Sequence, residues 1–129
     1  MRLREKFRQI KVELGNDRFI LYCLYSSTAL AAAAWLLTLI KLIPLAWKKE
    51  PLMLHYSVLV GIDRIGPWYW TLVWPALSAV CLVANTMIMI SLWRRRAPEI
   101  AKLVSVFTLC LSAIFLINTI LLVLLNVGV

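Results

Sequence analysis

Three long apolar stretches constrain this chain more than any other feature of its sequence. They run from Phe19 to Trp47, from Trp68 to Trp93 and from Ile100 to Val127. Lys41 is the only charge well inside a stretch, and Lys102 stands near the start of the third. About 20 apolar residues suffice to cross a bilayer as a helix, whose backbone groups satisfy one another. The sequence therefore predicts an all-α membrane protein with three transmembrane helices in one domain.

The composition supports this prediction and limits the partners. Hydrophobic residues make up 63% of the chain and charged residues 16%, with a formal net charge of +8. The basic residues cluster beside the apolar stretches, where anionic lipid headgroups account for them, so we expect membrane lipids as partners and no nucleic acid. The residues predicted to contact headgroups are Arg2, Arg4, Lys6, Arg8, Lys11, Arg94, Arg95 and Arg96.

The same clusters predict an orientation, since Lys and Arg beside spans are retained in the cytoplasm. The N-terminal segment and the connection 94–99 are the basic ones, whereas the C-terminus carries no charged side chain. We therefore expect a multi-pass membrane protein with its N-terminus cytoplasmic and its C-terminus extracytoplasmic. Aromatic residues from Trp47 to Trp74 would then form an outer interfacial belt.

Residues 1–15 have the pattern of an amphipathic helix. Leu3, Phe7, Ile10 and Leu14 recur at helical spacing with basic residues between them. Such a helix lies flat in the headgroup layer of a membrane. Asn16 or Asp17 could then cap the first span, and at the other end of the chain Pro98 suits the first turn of the third span.

Polar and small residues recur along each span and predict the faces where the helices pack. Their spacing is close to seven residues in the second and third spans. The first span offers Ser27, Ala31, Ala34 and Thr38; the second, Thr71, Ser78, Cys81 and Asn85; and the third, Ser105, Ser112 and Thr119.

Asn85 and Asn118 lie at different depths in their spans and should have different partners. Depth along the helices matches Asn85 with residues 26–28, and matches Asn118 with Ser78 and Thr38. Such bonds would hold the helices together, or the polar residues could form a track for a substrate or ion. No Asp, Glu, His or Arg lies deep in a span, which disfavours a proton or ion pump.

The connection 48–67 contains the only histidine of the chain. Its residues favour an extended backbone, which should pair within the connection or with another subunit. His55 and Asp63, with Arg64 beside them, could form an acid/base pair or supply two metal ligands. Alternatively, His55 bonds the loop backbone while Asp63 caps a turn or pairs with Arg64. Two groups are too few for a triad or a structural zinc site, so we expect no metal and no cofactor.

This connection resembles the loop after the first span of SdpI-type bacterial membrane proteins. His55 and Asp63 stand at the spacing of that family's pattern, and Tyr56 fills its aromatic place. Met53 stands where the family has proline, Ser57 where it has asparagine, and the first glycine falls one residue late. The loop is also similar to that of small bacterial membrane proteins with Leu-His-Tyr-Asn followed by Gly-Ile-Asp. The SdpI resemblance implies a location in a bacterial inner membrane and a role in toxin immunity or in signalling through a partner.

Three helices bury few faces by themselves, and each span carries a polar or small-residue stripe. The sequence therefore predicts a non-enzymatic interaction protein, either an accessory subunit or a homo-oligomer. The alternative is an enzyme or transporter component that uses the His55 and Asp63 loop on a lipid headgroup or a peptide at the outer surface.

Overall fold

The computed structural model describes residue 5 and residues 17–48, 51–57, 59 and 61–127, without the side chains of residues 56, 57 and 61–63. Three of its helices are long and apolar enough to cross a membrane: Arg18–Ala46, Trp68–Arg94 and Pro98–Val127. The protein is an all-α membrane protein with three spans, as predicted. The amphipathic helix predicted for residues 1–15 lies outside the described residues, apart from an isolated helical residue 5.

The first span begins at a capped N-terminus and widens near its end. Asp17 accepts a hydrogen bond from the backbone N–H of Phe19 at 3.1 Å, so the predicted cap is Asp17. An α-helix over Arg18–Leu37 leads into a π-helical turn over Thr38–Leu42 and a last α-helical turn over Ile43–Ala46. Pro44 has no N–H, and its ring would collide with the carbonyl four residues earlier in an α-helix. The wider π-turn ahead of it avoids this collision.

The second and third spans form an antiparallel helical hairpin. A 3₁₀ segment over Trp68–Leu72 starts the second span, and an α-helix over Val73–Arg94 completes it. Arg96 has a φ of 57°, and Ala97 donates its N–H to the carbonyl of Leu92 at 3.1 Å. This is a Schellman-type helix end, in which glycine is the usual left-handed residue. The third α-helix begins at Pro98, as predicted.

The third span is central and packs against both of the others. Its buried residues alternate three and four positions apart along the whole helix, which is the spacing of a helix–helix seam. Facing them are Ser27, Ala31, Ala34 and Thr38 on the first span and Thr71, Pro75, Ser78 and Met89 on the second. The buried residues of the third span are Ala101, Ser105, Thr108, Ser112, Phe115, Thr119, Leu122 and Asn126.

All three spans meet at one end of the bundle, which we call the basic end because it holds Arg18, residues 94–96 and Lys102. Ile20, Met89 and Ala101 form a buried apolar cluster there. The Lys102 ammonium lies 3.7 Å from the Asp17 carboxylate. The start of the first span and the tight helical turn therefore lie at the same end, as predicted from their charges.

The hydrogen bonds predicted between spans are not formed. Ser27 donates instead to the carbonyl of Cys23 at 2.7 Å, and Thr38 to that of Ala34 at 2.9 Å. Ser78 Oγ and Asn85 Nδ2 are buried without a hydrogen-bond partner in the described structure. A hydroxyl can reach the carbonyl four residues earlier in its own helix without aligning two helices, and this local bond replaced the predicted one.

Candidate functional site

A β-hairpin covers the other end of the bundle, which we call the hairpin end. Strand β1 is Leu52–Ser57, strand β2 is Gly61–Gly66, and they pair antiparallel. The extended segment predicted for this connection is confirmed, and its backbone pairs within the connection. Such pairing matters in a partly dry interface, where an unpaired backbone group is costly.

The register of the hairpin contains two irregularities that flank one residue pair. Met53 faces Ile65, but His55 faces Arg64, and Tyr56 then faces Ile62. One residue on each strand is therefore unopposed: position 54 on β1 and position 63 on β2. Bulges of this kind change the direction in which nearby side chains point. The register thus places His55 opposite Arg64 rather than opposite Asp63, the partner considered from the sequence. Both His55 and Arg64 are exposed.

The side chain of Asn126 attaches the hairpin to the third span. Asn126 Oδ1 accepts a hydrogen bond from the backbone N–H of Met53 at 2.8 Å, and Asn126 Nδ2 donates to the Met53 carbonyl at 2.8 Å. Nδ2 also donates to the carbonyl of Leu122, one helical turn earlier. The carboxamide therefore serves the edge of β1 as a third strand would. The amide is buried, so these bonds are shielded from water.

Sequence reasoning missed Asn126, although a signal was present. The polar seam of the third span runs Ser105, Ser112 and Thr119, and the next position at the same spacing is Asn126. A seam that continues one heptad further reaches the end of the helix, where a polar side chain can meet the connecting loop. The sequence did not say which loop atoms would meet it.

Two adjoining cavities lie beneath the hairpin, with volumes of about 480 and 460 Å³. Leu54, His55, Trp74 and Leu122 line both of them. Trp74 is held beside the third span by contact with Phe115, at 6.3 Å between ring centroids. We call the combined space the hairpin groove. The first cavity adds Arg64, Trp70 and Val73, and the second adds Asn118, Leu121, Leu124 and Leu125.

The other residues predicted as site or packing residues are dispersed. Asn118 lines the hairpin groove, and Ser78 and Thr38, its predicted partners, lie buried at the helix seams. Ser27 and Ser112 are buried as well. Arg94, Arg95 and Arg96 are exposed at the basic end. Arg2, Arg4, Lys6, Arg8 and Lys11 lie outside the described residues.

The groove combines three kinds of chemistry in one space. Arg64 offers hydrogen-bond donors on the exposed side of the groove, where His55 also lies. Tryptophans form one wall, and leucines of the third span form the apolar remainder. Among the described residues, no group of three His, Cys, Asp or Glu is placed to hold a metal ion. A cation above an apolar channel suits the binding of an anionic amphiphile better than it suits acid/base catalysis.

Comparisons with protein-family models, with curated proteins and with solved structures gave no significant match for this chain. Fold and site define its class as a three-span α-helical membrane protein whose helix bundle is covered at one end by a β-hairpin.

Proposed function

We propose that the protein is a non-enzymatic membrane interaction subunit that binds a transmembrane helix of a partner beside its first and second spans. One observation carries this proposal: the exposed surface of the first span between residues 22 and 29 differs in composition from that of the third span. From Tyr22 to Ala29 the exposed residues of the first span are Tyr22, Tyr25, Ser26, Thr28 and Ala29.

The third span provides the contrast, because its exposed residues suit lipid. Lipid tails offer no hydrogen bonds, and large aliphatic side chains are the usual contact with them. Small and polar side chains instead allow helices to approach closely and bond across the interface. The large exposed residues of the third span are Ile100, Leu103, Val106, Phe107, Ile114, Ile117, Ile120, Leu121, Leu124 and Val127.

A cleft of about 520 Å³ lies on this side, between the first and second spans. Thr28 and Thr86 donate their hydroxyls to carbonyls of their own helices, at 2.8 and 2.7 Å, so the cleft needs no polar partner. Only 11% of the most apolar stretch of the second span is buried, against 28% in each of the others. An apolar partner helix fits these conditions. The cleft is lined by Leu21, Leu24, Tyr25, Thr28, Leu82, Val83, Thr86 and Met87.

The proposal includes the location and the orientation predicted from the charges. The basic end, with Arg18, residues 94–96 and Lys102, would face the cytoplasm of a bacterium, and the hairpin would face outward across the inner membrane. The resemblance of the hairpin to the loop of SdpI-type proteins accords with a role exercised through a partner. A reporter fused after Val129 tests this part, and a cytoplasmic signal would reverse the orientation.

Site-specific photocross-linking in the native membrane tests the cleft. A photoreactive residue replaces Thr28 or Met87 in the cleft, or Ile117 on the lipid-facing side of the third span as the matched control. We expect a protein adduct of one defined mass at the cleft positions and lipid adducts alone at Ile117. An adduct with twice the 14.8 kDa mass of one chain would identify a second copy of the protein as the partner. Identical products at all three positions would contradict the proposal.

A size measurement then separates binding from chance proximity. Thr86→Trp should fill the cleft and reduce the complex seen in mild detergent to the mass of the isolated chain. Ile117→Trp places the same side chain on a surface that is exposed to lipid and should leave the complex intact. If Thr86→Trp keeps the complex, the partner binds elsewhere.

The competing class, an outer-surface enzyme or transporter component, makes a different prediction for the hairpin. His55→Ala and Asp63→Ala would then abolish activity while the protein accumulates normally. For an interaction subunit, the same changes should affect assembly or accumulation first, because their role is to order the hairpin.

A further inference from the structure

The hairpin groove has a polar end and an apolar end, in the order that a lipid molecule has them. Arg64, His55 and Trp70 line the first cavity and are exposed, and we call this part of the groove its mouth. The apolar end follows the third span from Leu125 back to Asn118. These two residues are seven positions apart, which corresponds to about 10 Å of helix. The groove therefore reaches from the hairpin end of the bundle well into the apolar part of the third span.

The groove is also accessible from the side. Leu121 and Leu124 line it and are themselves 56% and 62% exposed on the surface of the third span. In a bilayer that surface contacts lipid tails, so an acyl chain can enter laterally without leaving the membrane. A water-soluble peptide would have to displace lipid from the same surface.

The charge at the mouth selects among lipids. A guanidinium forms short, charge-assisted hydrogen bonds to phosphate oxygens, often two at once. The connection 48–67 as a whole holds Lys48, Lys49 and Arg64 against Glu50 and Asp63, so it retains a net positive charge. An anionic headgroup is therefore favoured over a zwitterionic one, whose amine would meet the same cation.

We propose that the hairpin groove binds one membrane lipid with an anionic phosphate headgroup. Arg64 holds the phosphate, Trp70 and Trp74 cover the glycerol region, and one acyl chain lies against Leu121 and Leu125. Asn118 supplies a polar side chain at the depth of the acyl chain. The Asn126 bonds to Met53 keep the hairpin in place above the lipid. This site is separate from the cleft between the first and second spans and does not depend on a partner helix.

Native mass spectrometry of the full chain, released from phosphatidylcholine nanodiscs with a minor share of phosphatidylglycerol, tests the proposal. We expect one phosphatidylglycerol per chain to be retained. Arg64→Gln should weaken its retention about tenfold, the loss expected for one charge-assisted contact. Arg18→Gln is the matched control, since it removes an exposed arginine at the basic end, outside the residues predicted to contact headgroups, and should leave this retained lipid unchanged.

A second variant examines the apolar end without touching the charge. Leu125→Trp fills the space for the acyl chain and should lower retention while the helical content of the protein, measured by circular dichroism, is unchanged. Excess glycerol phosphate, the soluble part of the ligand, should not displace the lipid if the acyl chain contributes to binding.

Three results would overturn the proposal. These are retention unaffected by Arg64→Gln, equal retention of phosphatidylcholine, and displacement by glycerol phosphate alone. The last would mean that the groove binds a free anion rather than a lipid. None of these results bears on the cleft, whose partner is measured by cross-linking, so the two proposals fail separately.

Discussion

The two ends of the bundle are closed in different ways. At the basic end, side chains from all three spans pack together around Ile20, Met89 and Ala101, and a short turn joins the second and third spans. At the hairpin end, a two-stranded sheet lies over the helices and is attached to the third span through Asn126. Side-chain packing joins the spans at the first end, where the cleft between the first and second spans is open to the outside of the bundle. Hydrogen bonding holds the second end, and cavities remain there beneath the hairpin. The two ends therefore offer different kinds of space: an open cleft between helices and a groove under a sheet.

The largest effect should come from Asn126→Leu, which removes the attachment while keeping the size of the side chain. The Met53 N–H and carbonyl lose that partner, at a cost of about 3 kcal/mol for two shielded backbone groups. Exchange of the Met53 amide hydrogen should accelerate about a hundredfold. Mass-spectrometric hydrogen exchange in mild detergent measures this rate.

Asn118→Leu is the control for that change, because it replaces an asparagine of the same helix that does not contact Met53. It should leave exchange in β1 within twofold of the wild type. Equal exchange in both variants would mean that Asn126 does not hold the hairpin, and the contrast between the two ends would fail.

Met89→Ala should destabilise the basic end and the fold as a whole. The side chain is buried between all three spans, and truncation of a buried Met commonly costs about 2–5 kcal/mol. We expect about 2 kcal/mol, because the unfolded helix keeps Met89 in lipid and only packing is lost. The free energy of unfolding can be measured in SDS titrations from the rate at which the buried Cys23 thiol is alkylated. The other two cysteines are changed to Ser for this measurement. Met87→Ala, on an exposed side chain, should stay within about 0.5 kcal/mol of the wild type.

Arg96→Gly should stabilise the turn at the basic end. Arg96 holds a φ of 57°, which costs a residue with a side chain about 1 kcal/mol relative to glycine. The matched change Arg95→Gly, at a φ of −82°, should destabilise instead, since glycine loses more backbone entropy there. The same SDS titration compares them, and a shift in the same direction for both would contradict the assignment of strain to Arg96.

Lys102→Ala should have the smallest effect. Lys102 pairs with Asp17 at 3.7 Å and with Glu99 at 3.4 Å, but its side chain is 35% exposed, so the pairs are screened. We expect a loss of about 0.5 kcal/mol that disappears in high salt. Asp17→Asn keeps the helix cap and removes only the charge, and it should match Lys102→Ala. A larger loss that survives high salt would show that packing, not charge, joins the two spans there.

Local features of the structure could be predicted because they depend on short segments of sequence. The three spans follow from length and hydropathy, and each bound predicted for them lies within two residues of the structure. The Asp17 cap and the Pro98 start follow from helix chemistry within one turn. Buried Ser105, Ser112 and Thr119 follow from helical spacing.

The sequence by itself determined the three helices, because a long apolar segment in hydrocarbon must satisfy its own backbone. It also determined which faces of the helices pack and that the basic residues lie at one end. Only the tertiary structure decided that His55 faces Arg64 and that Asn126 bonds a backbone 73 residues away. It also decided that a groove lies between the hairpin and the helices beneath it. Bulges, amide contacts and cavities depend on how separate segments meet in space. Such meetings are fixed by the geometry of the whole bundle rather than by the spacing of residues along one segment.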